Sequence, residues 1–379
     1  MMSTRLTPSH HSGWRQMLAG VVGVLLLTTT ACSGAPQGWA GATSGGGKVF
    51  LVTQNHKLLA LDPQARSKGL PFPATGEWQF PVESDRSLGA SYAPPTLAGD
   101  VLYAVTYKEG SANQGKLRAL ESATGKLLWD FSAADIVSQP TVKDGMVYIG
   151  SSDAQVYALD AATGQVRWKF KTGHKVWANV ALDDTGSAYV ASLDHKLYAI
   201  NTANGSLKWT FPTGGALASA PVIDRGSLYF GSADGRLYAV NALSGKEQWA
   251  LNVGAWLWST PLLSNGILYA GSLDGQVVAV DASTGGLAWG QSYRTDGPVS
   301  AAPVMVGDTL VVAAQSGKVY GLAPATGRLK WNYVTEPAGQ IFSSPVADAQ
   351  TVYLAPGNQR LIALDGARGQ PSWVYRTEG

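Results

Sequence analysis

From about residue 48 onward, short apolar runs alternate with breaks rich in Gly, Asp, Asn and Thr. The stretch Ser227 to Trp249 shows the unit. It reads Leu228-Tyr229-Phe230, then Asp234-Gly235, Leu237-Tyr238-Ala239-Val240, Ser244-Gly245 and Trp249. Apolar runs this short, bounded by turn residues, predict strands rather than helices. Asp-Gly predicts a two-residue hairpin turn, and the later Gly supplies the positive φ of the next turn. A further strand opening with Ser-x-Pro is expected ahead of each unit, as at Ser219-Ala-Pro221, Ser259-Thr-Pro261 and Ser343-Ser-Pro345. Each unit then predicts four strands: an inner one at Ser-x-Pro, two middle ones, and an outer one carrying Trp.

The unit recurs. Counterparts run from Met146 to Trp168, Ser187 to Trp209, Ile267 to Trp289 and Thr309 to Trp331. Eight tryptophans keep the period: Trp78, Trp129, Trp168, Trp209, Trp249, Trp289, Trp331 and Trp373, with spacings of 39, 41, 40, 40, 42 and 42 from Trp129 on. Eight residues before the Trp, seven units carry Glu121, Asp160, Asn201, Asn241, Asp281, Ala323 or Asp365. A single four-stranded sheet cannot bury both its faces, whereas radial packing of neighbours does so and leaves few open edges. The expectation is an all-β, eight-bladed β-propeller of four-stranded antiparallel blades. Helical repeat architectures need a helical period that is absent. The recurring Trp is expected to wedge between adjacent blades.

Two units depart from the pattern. Asp62 lies 16 residues before Trp78, so the third-to-fourth turn of the first unit carries an insertion around Arg66 to Pro73. In the second unit the Tyr103-to-Leu117 hairpin is lengthened, with Lys108 to Gln114 as its tip. Antiparallel alternation puts the two insertions on opposite faces.

Composition narrows the function classes. Charged residues are 14% of the chain and Gly numbers 45, which suits short strands and tight turns. The net charge of +2 comes from Arg5 and Arg15, and the remainder is neutral. A neutral body lacks the basic footprint of nucleic-acid binding. Residues 1–31 read as a targeting segment: Arg5 and Arg15, then the apolar Met17 to Thr30, too short to span a bilayer. It ends at Thr29-Thr30-Ala31-Cys32, and Cys32 is the protein's one cysteine. Small residues before a lone Cys resemble a bacterial lipobox, although Thr29 stands where Leu is usual. That resemblance implies lipidation of Cys32 and an exported, membrane-anchored protein facing the periplasm or cell exterior. A single cysteine excludes an intramolecular disulfide framework. Residues 32–47, rich in Gly, Ala and Ser, read as a flexible tether, with the propeller over 48–379. The first inner strand alternatively starts from Trp39 to Ser44.

Ala-x-Asp-Ala-x-Thr-Gly-x-x-x-Trp, seen at Ala158 to Trp168 and Ala279 to Trp289, resembles the pyrroloquinoline-quinone-type (PQQ-like) propeller repeat over roughly residues 39–379. A lipoprotein signal followed by eight such repeats is similar to the BamB family of outer-membrane assembly factors. The resemblance implies a non-catalytic scaffold that binds a protein component of the β-barrel assembly complex. No family contact residue is matched here one by one. The same repeats occur in quinoprotein dehydrogenases, which implies the alternatives of a quinone- or ligand-binding sensory propeller, or a dehydrogenase holding PQQ with calcium. The vicinal cysteine pair common in those enzymes is impossible here.

The residues themselves argue against catalysis, a resident cofactor or a metal site. Asp153, Asp194, Asp234 and Asp274 recur at one hairpin, and Asp160, Asp281 and Asp365 at another, where turn work explains them. His56 and His195 occupy equivalent hairpin positions, leaving His174 singular. A surface is indicated instead. Tyr92, Trp177, Trp258 and Phe342 stand just before the Ser-x-Pro position, with Trp256 two residues further out. These predict an aromatic mouth at one end of the central channel, either plugging it or binding a partner.

Overall fold

Strand-forming residues and turn glycines repeat in phase, so each unit closes on itself as one sheet. The computed structural model describes residues 41–82, 88–109 and 114–377. They form eight four-stranded antiparallel sheets, each with its strands in sequence order. In the fifth blade these are Val222–Asp224, Ser227–Gly231, Arg236–Asn241 and Glu247–Asn252. Ile223 pairs with Leu228, Phe230 with Tyr238, and Ala239 with Trp249. The Ser-x-Pro triplets end just before the inner strands rather than opening them, since Val222 follows Pro221. Proline has no N–H to give the ladder.

The core is divided among the gaps between blades. Eight apolar clusters each draw on two neighbouring blades, as Tyr189, Leu197 and Phe211 do with Leu228, Phe230 and Tyr238. The periodic tryptophans sit at the edge of these gaps, and each from Trp78 to Trp331 donates its indole N–H to a carbonyl of the next blade. The sixth blade is irregular. Its outer strand shrinks to Tyr293–Arg294, leaving Trp289 outside the ladder. Gly290, with no side chain to pack, follows the Trp there and weakens the strand. The Trp289 indole still reaches Pro324 O at 2.8 Å.

The propeller starts earlier than residue 48. Ala42–Gly45 is the inner strand of the first blade, pairing Thr43 with Phe50 and Ser44 with Val49, so a tether extending to residue 47 is corrected. Trp39 and the rest of residues 1–40, including the signal, Cys32 and most of the tether, lie outside the described residues, as does the hairpin tip 110–113.

Among the described residues no strand is exchanged to shut the ring. Ala42, Val49, Leu51, Leu59 and Leu61 of the first blade pack against Tyr353, Leu361 and Ala363 of the eighth. The first insertion completes this seam. It contains a short helix, α1 (Pro63–Ser67), capped by Asp62, whose side chain accepts from Gln64 N. Arg66 meets Glu77 at 2.8 Å with both side chains almost fully buried. Glu77 also accepts from Asp62 N at 2.8 Å and Ala74 N at 2.7 Å, so its carboxylate is well satisfied. On its other side the Arg66 guanidinium lies 5.2 Å from the centroid of the Tyr375 ring, on the last strand.

Candidate functional site

Strand direction sorts the loops onto two faces. One face carries the hairpins between second and third strands and the links from outer to inner strand. The other carries the inner hairpins and the Thr-Gly turns. The first strand enters the ring from the former, which also holds the predicted mouth.

Trp177 and Trp258 occupy equivalent places, four residues before the inner strands Ala181–Leu182 and Leu262–Ser264. Between them, the fifth blade has Ala218 at this position. That small side chain leaves the two indoles free to meet across it, with ring centroids 6.3 Å apart and planes tilted by 53°. Trp177 Nε1 donates to Ser152 Oγ at 3.3 Å, which orients the ring. Lys175 Nζ stands 5.8 Å from the Trp177 centroid, a cation–π contact of about 0.5–1 kcal/mol at so open a site. Both indoles are half-buried and present aromatic surface to solvent.

Of the five predicted aromatic residues, Trp177 and Trp258 are the pair in ring contact described above. Tyr92 packs edge-on against Tyr107 at 5.2 Å. Burial, then the neighbouring Tyr107 and Asp135, pushes the Tyr92 hydroxyl up to about 12. The Trp256 carbonyl is tied to Leu273 N at 2.9 Å. Phe342 is half-buried at the eighth blade.

Three hairpin acids of this face, Asp153, Asp194 and Asp234, turn inward. Asp194 accepts from Lys196 N, from Gly173 N and from the Tyr198 hydroxyl. Asp234 repeats the set with Arg236 N, Gly214 N and Tyr238. Asp153 holds Gln155 N and Tyr157. Burial, together with the bond to Asp194, raises Tyr198 to about 12. On the other face Asp160 is drawn down to about 2, first by Arg167 and then by Thr163. Asp160 is thereby held ionised, and each hairpin carboxylate is spent on bonds within its own turn rather than set against a second group as an acid–base pair would be.

The histidines fall likewise. His56 and His195 take left-handed φ of 59° and 69°, the conformation Gly235 and Gly275 adopt at the same hairpin position. His174 is exposed and contributes its carbonyl, which accepts from Thr172 Oγ1 and Ser192 Oγ. Among the described residues no group of three or more His, Cys, Asp or Glu side chains is placed to hold a metal ion. A quinone with calcium needs oxygen ligands converging beside an aromatic platform. Here the nearby carboxylates are each spent on a separate hairpin, so the residues present do not fit that pair. No helix among the described residues is long and apolar enough to cross a membrane.

Sequence reasoning passed over Lys175 and Ser152, which contact Trp177, Tyr107, which packs against Tyr92, and the Arg66–Glu77 pair. None recurs with the repeat. The one available signal was Glu77 standing directly beside a periodic Trp.

Comparison with known proteins follows the fold. The family model described as "Beta-alanine-activating enzyme, beta-propeller" matches residues 142–379. A second, "Outer membrane protein assembly factor BamB", matches residues 73–176. No curated protein matches the sequence. The crystal structure of BamB from Moraxella catarrhalis superposes with a TM-score of 0.63 at 19% identity, over 75% of this chain and 85% of that one. The crystal structure of the computationally designed Ika8 protein superposes with a TM-score of 0.69 at 12% identity, over 90% of this chain and 100% of that one. Likeness at these identities establishes the fold alone.

Proposed function

Since this chain belongs to the β-propeller family described for the beta-alanine-activating enzyme, we propose that it works as a rigid, non-catalytic docking scaffold. It is a PQQ-like repeat propeller resembling BamB, and the assembly-factor name of that relative supports a role in inserting outer-membrane β-barrel proteins. The lipobox-like end of residues 1–31 supports export and anchoring through Cys32. The partner is a protein component of the assembly machinery, and the candidate contact surface is the mouth at Tyr92, Trp177, Trp256, Trp258 and Phe342.

One observation carries this reading. Trp177 and Trp258 expose a joined aromatic surface on a face whose hairpin carboxylates Asp194 and Asp234 are engaged in bracing their own turns. Large amphipathic rings held rigid are the side chains that dominate protein-binding hot spots. Affinity purification of the full-length protein from mildly cross-linked native membranes tests it. Recovery of a β-barrel assembly protein, lost in Trp177→Ala/Trp258→Ala with the fold intact, is the expected result. An abundant, lipidated bait that recovers none would overturn the assembly role.

A further inference from the structure

The surroundings of Trp177 and the opposite mouth of the ring differ in the sign of the charge they present. On the mouth face, Lys171 and Lys196 are exposed at strand ends paired with Gln155 and Pro212, and Lys175 stands beside Trp177. The hydrogen bond from Leu193 N to Lys175 O, 3.0 Å, holds the hairpin bearing Lys196 next to that lysine. The acids of these same hairpins, Asp153 and Asp194, are half-buried and directed into their own turns. Outward-facing charge beside Trp177 is therefore positive, while on the Trp258 side the exposed Asp274 stands 3.6 Å from Arg294. The opposite mouth is ringed by Asp100, Asp144, Asp184, Asp308 and Asp348, all exposed. Lys143 pairs with Asp184 and Lys330 with Asp308, which still leaves Asp100, Asp144 and Asp348.

The course of the chain adds an orientation. The strand Ala42–Gly45 runs from the mouth face to the turn before Lys48 on the opposite face. Residues preceding it therefore join the ring at the mouth face. The ten residues from Cys32 to Ala42 span at most ~35 Å when fully extended. A lipid on Cys32 would then lie no more than that length of chain from the first strand.

We propose that the Trp177–Trp258 surface receives an extended acidic segment of a protein resident at the same membrane. An apolar side chain of that segment lies on the two indoles, and flanking carboxylates meet Lys171, Lys175 and Lys196. The acidic far mouth repels the same segment, so charge selects the face as well as the partner. This inference rests on the docking reading above and refines it by naming the partner's chemistry.

The test uses full-length protein in detergent and a fluorescein-labelled twelve-residue peptide of alternating Glu and Leu, read by fluorescence anisotropy. A Lys–Leu peptide and phosphatidylglycerol vesicles are the comparisons. The Glu–Leu peptide is expected to bind, with Kd rising at least tenfold in Lys175→Glu/Lys196→Glu and in Trp177→Ala, and unchanged in Asp348→Lys. Binding is also expected to weaken as salt rises. Equal binding of the Lys–Leu peptide, or an unchanged Kd in the charge-reversed variant, would overturn the proposal. Charge-sensitive binding confined to the vesicles would overturn it too and assign the surface to lipid. Capture of an assembly protein that survives Lys175→Glu/Lys196→Glu leaves the scaffold role standing and sinks this refinement alone.

Discussion

Trp209 lies directly beneath Gly245 of the following blade. A β-carbon at position 245 would stand 2.6 Å from Trp209 Cδ2, and the glycine has φ +67°. The Trp209 indole N–H meanwhile donates to Ala242 O, 3.1 Å away in the same turn. Trp78 and Gly125, Trp168 and Gly205, and Trp331 and Gly369 repeat the arrangement. From Trp78 to Trp331, each Trp and the turn glycine of the following repeat are thus partners across a blade gap.

Gly245→Ala is therefore expected to cost more than backbone strain alone. The left-handed conformation costs an alanine about 1–2 kcal/mol, and crowding against the indole adds about 1–3 kcal/mol. Gly266, at φ +76° with no neighbour within 4 Å, isolates the first contribution. Urea denaturation midpoints of Gly245→Ala and Gly266→Ala, compared with wild type, should separate in that order. Equal shifts would show that the indole gives way freely.

Trp209→Ala removes both the ring and the donor to Ala242 O, and about 3–5 kcal/mol of stability is expected to go with them. Trp209→Phe keeps much of the apolar bulk and should lose less. Equilibrium unfolding followed by tryptophan-independent circular dichroism gives the comparison.

The Arg66–Glu77 pair is expected to act as the latch of the ring. Arg66→Ala leaves a buried carboxylate facing the seam, for which about 3–5 kcal/mol is the usual cost. Hydrogen exchange should then quicken first in Ala42–Gly45 and Pro371–Arg376, the strands at the closure. Uniform acceleration around the ring would argue against a local latch.

Alkaline stability should report the inward-turned tyrosines. The folded-state pKa of Tyr198 is raised to about 12 from an ordinary value of 10.0. Its contribution is complete below about pH 10 and is lost as pH climbs through about 12. Tyr198→Phe should flatten the decline of melting temperature between those values while leaving Asp194 to hold Gly173 N and Lys196 N. Phenolate absorbance measured in parallel checks that the residue titrates in that window.

Cys32→Ser is expected to abolish incorporation of labelled palmitate and to release the protein from membranes. Continued sedimentation with membranes after the substitution would require a second attachment.

The repeat by itself determined the number of blades and the order of strands within each, because a turn glycine, a hairpin Asp-Gly and a Trp in fixed phase admit one local solution. It also explained away most acids and histidines, since a residue that recurs blade after blade is serving the turn. Tertiary structure decided what depends on neighbours that are distant in sequence. Trp177 meets Trp258 because the intervening blade offers Ala218 at the mouth, a relation across more than eighty positions. The ring shuts through Arg66, Glu77 and Tyr375 because its first and last blades, farthest apart in sequence, are neighbours in the circle. Periodicity encodes contacts that every blade shares, whereas a seam and a mouth occur once and take their form from closure of the circle.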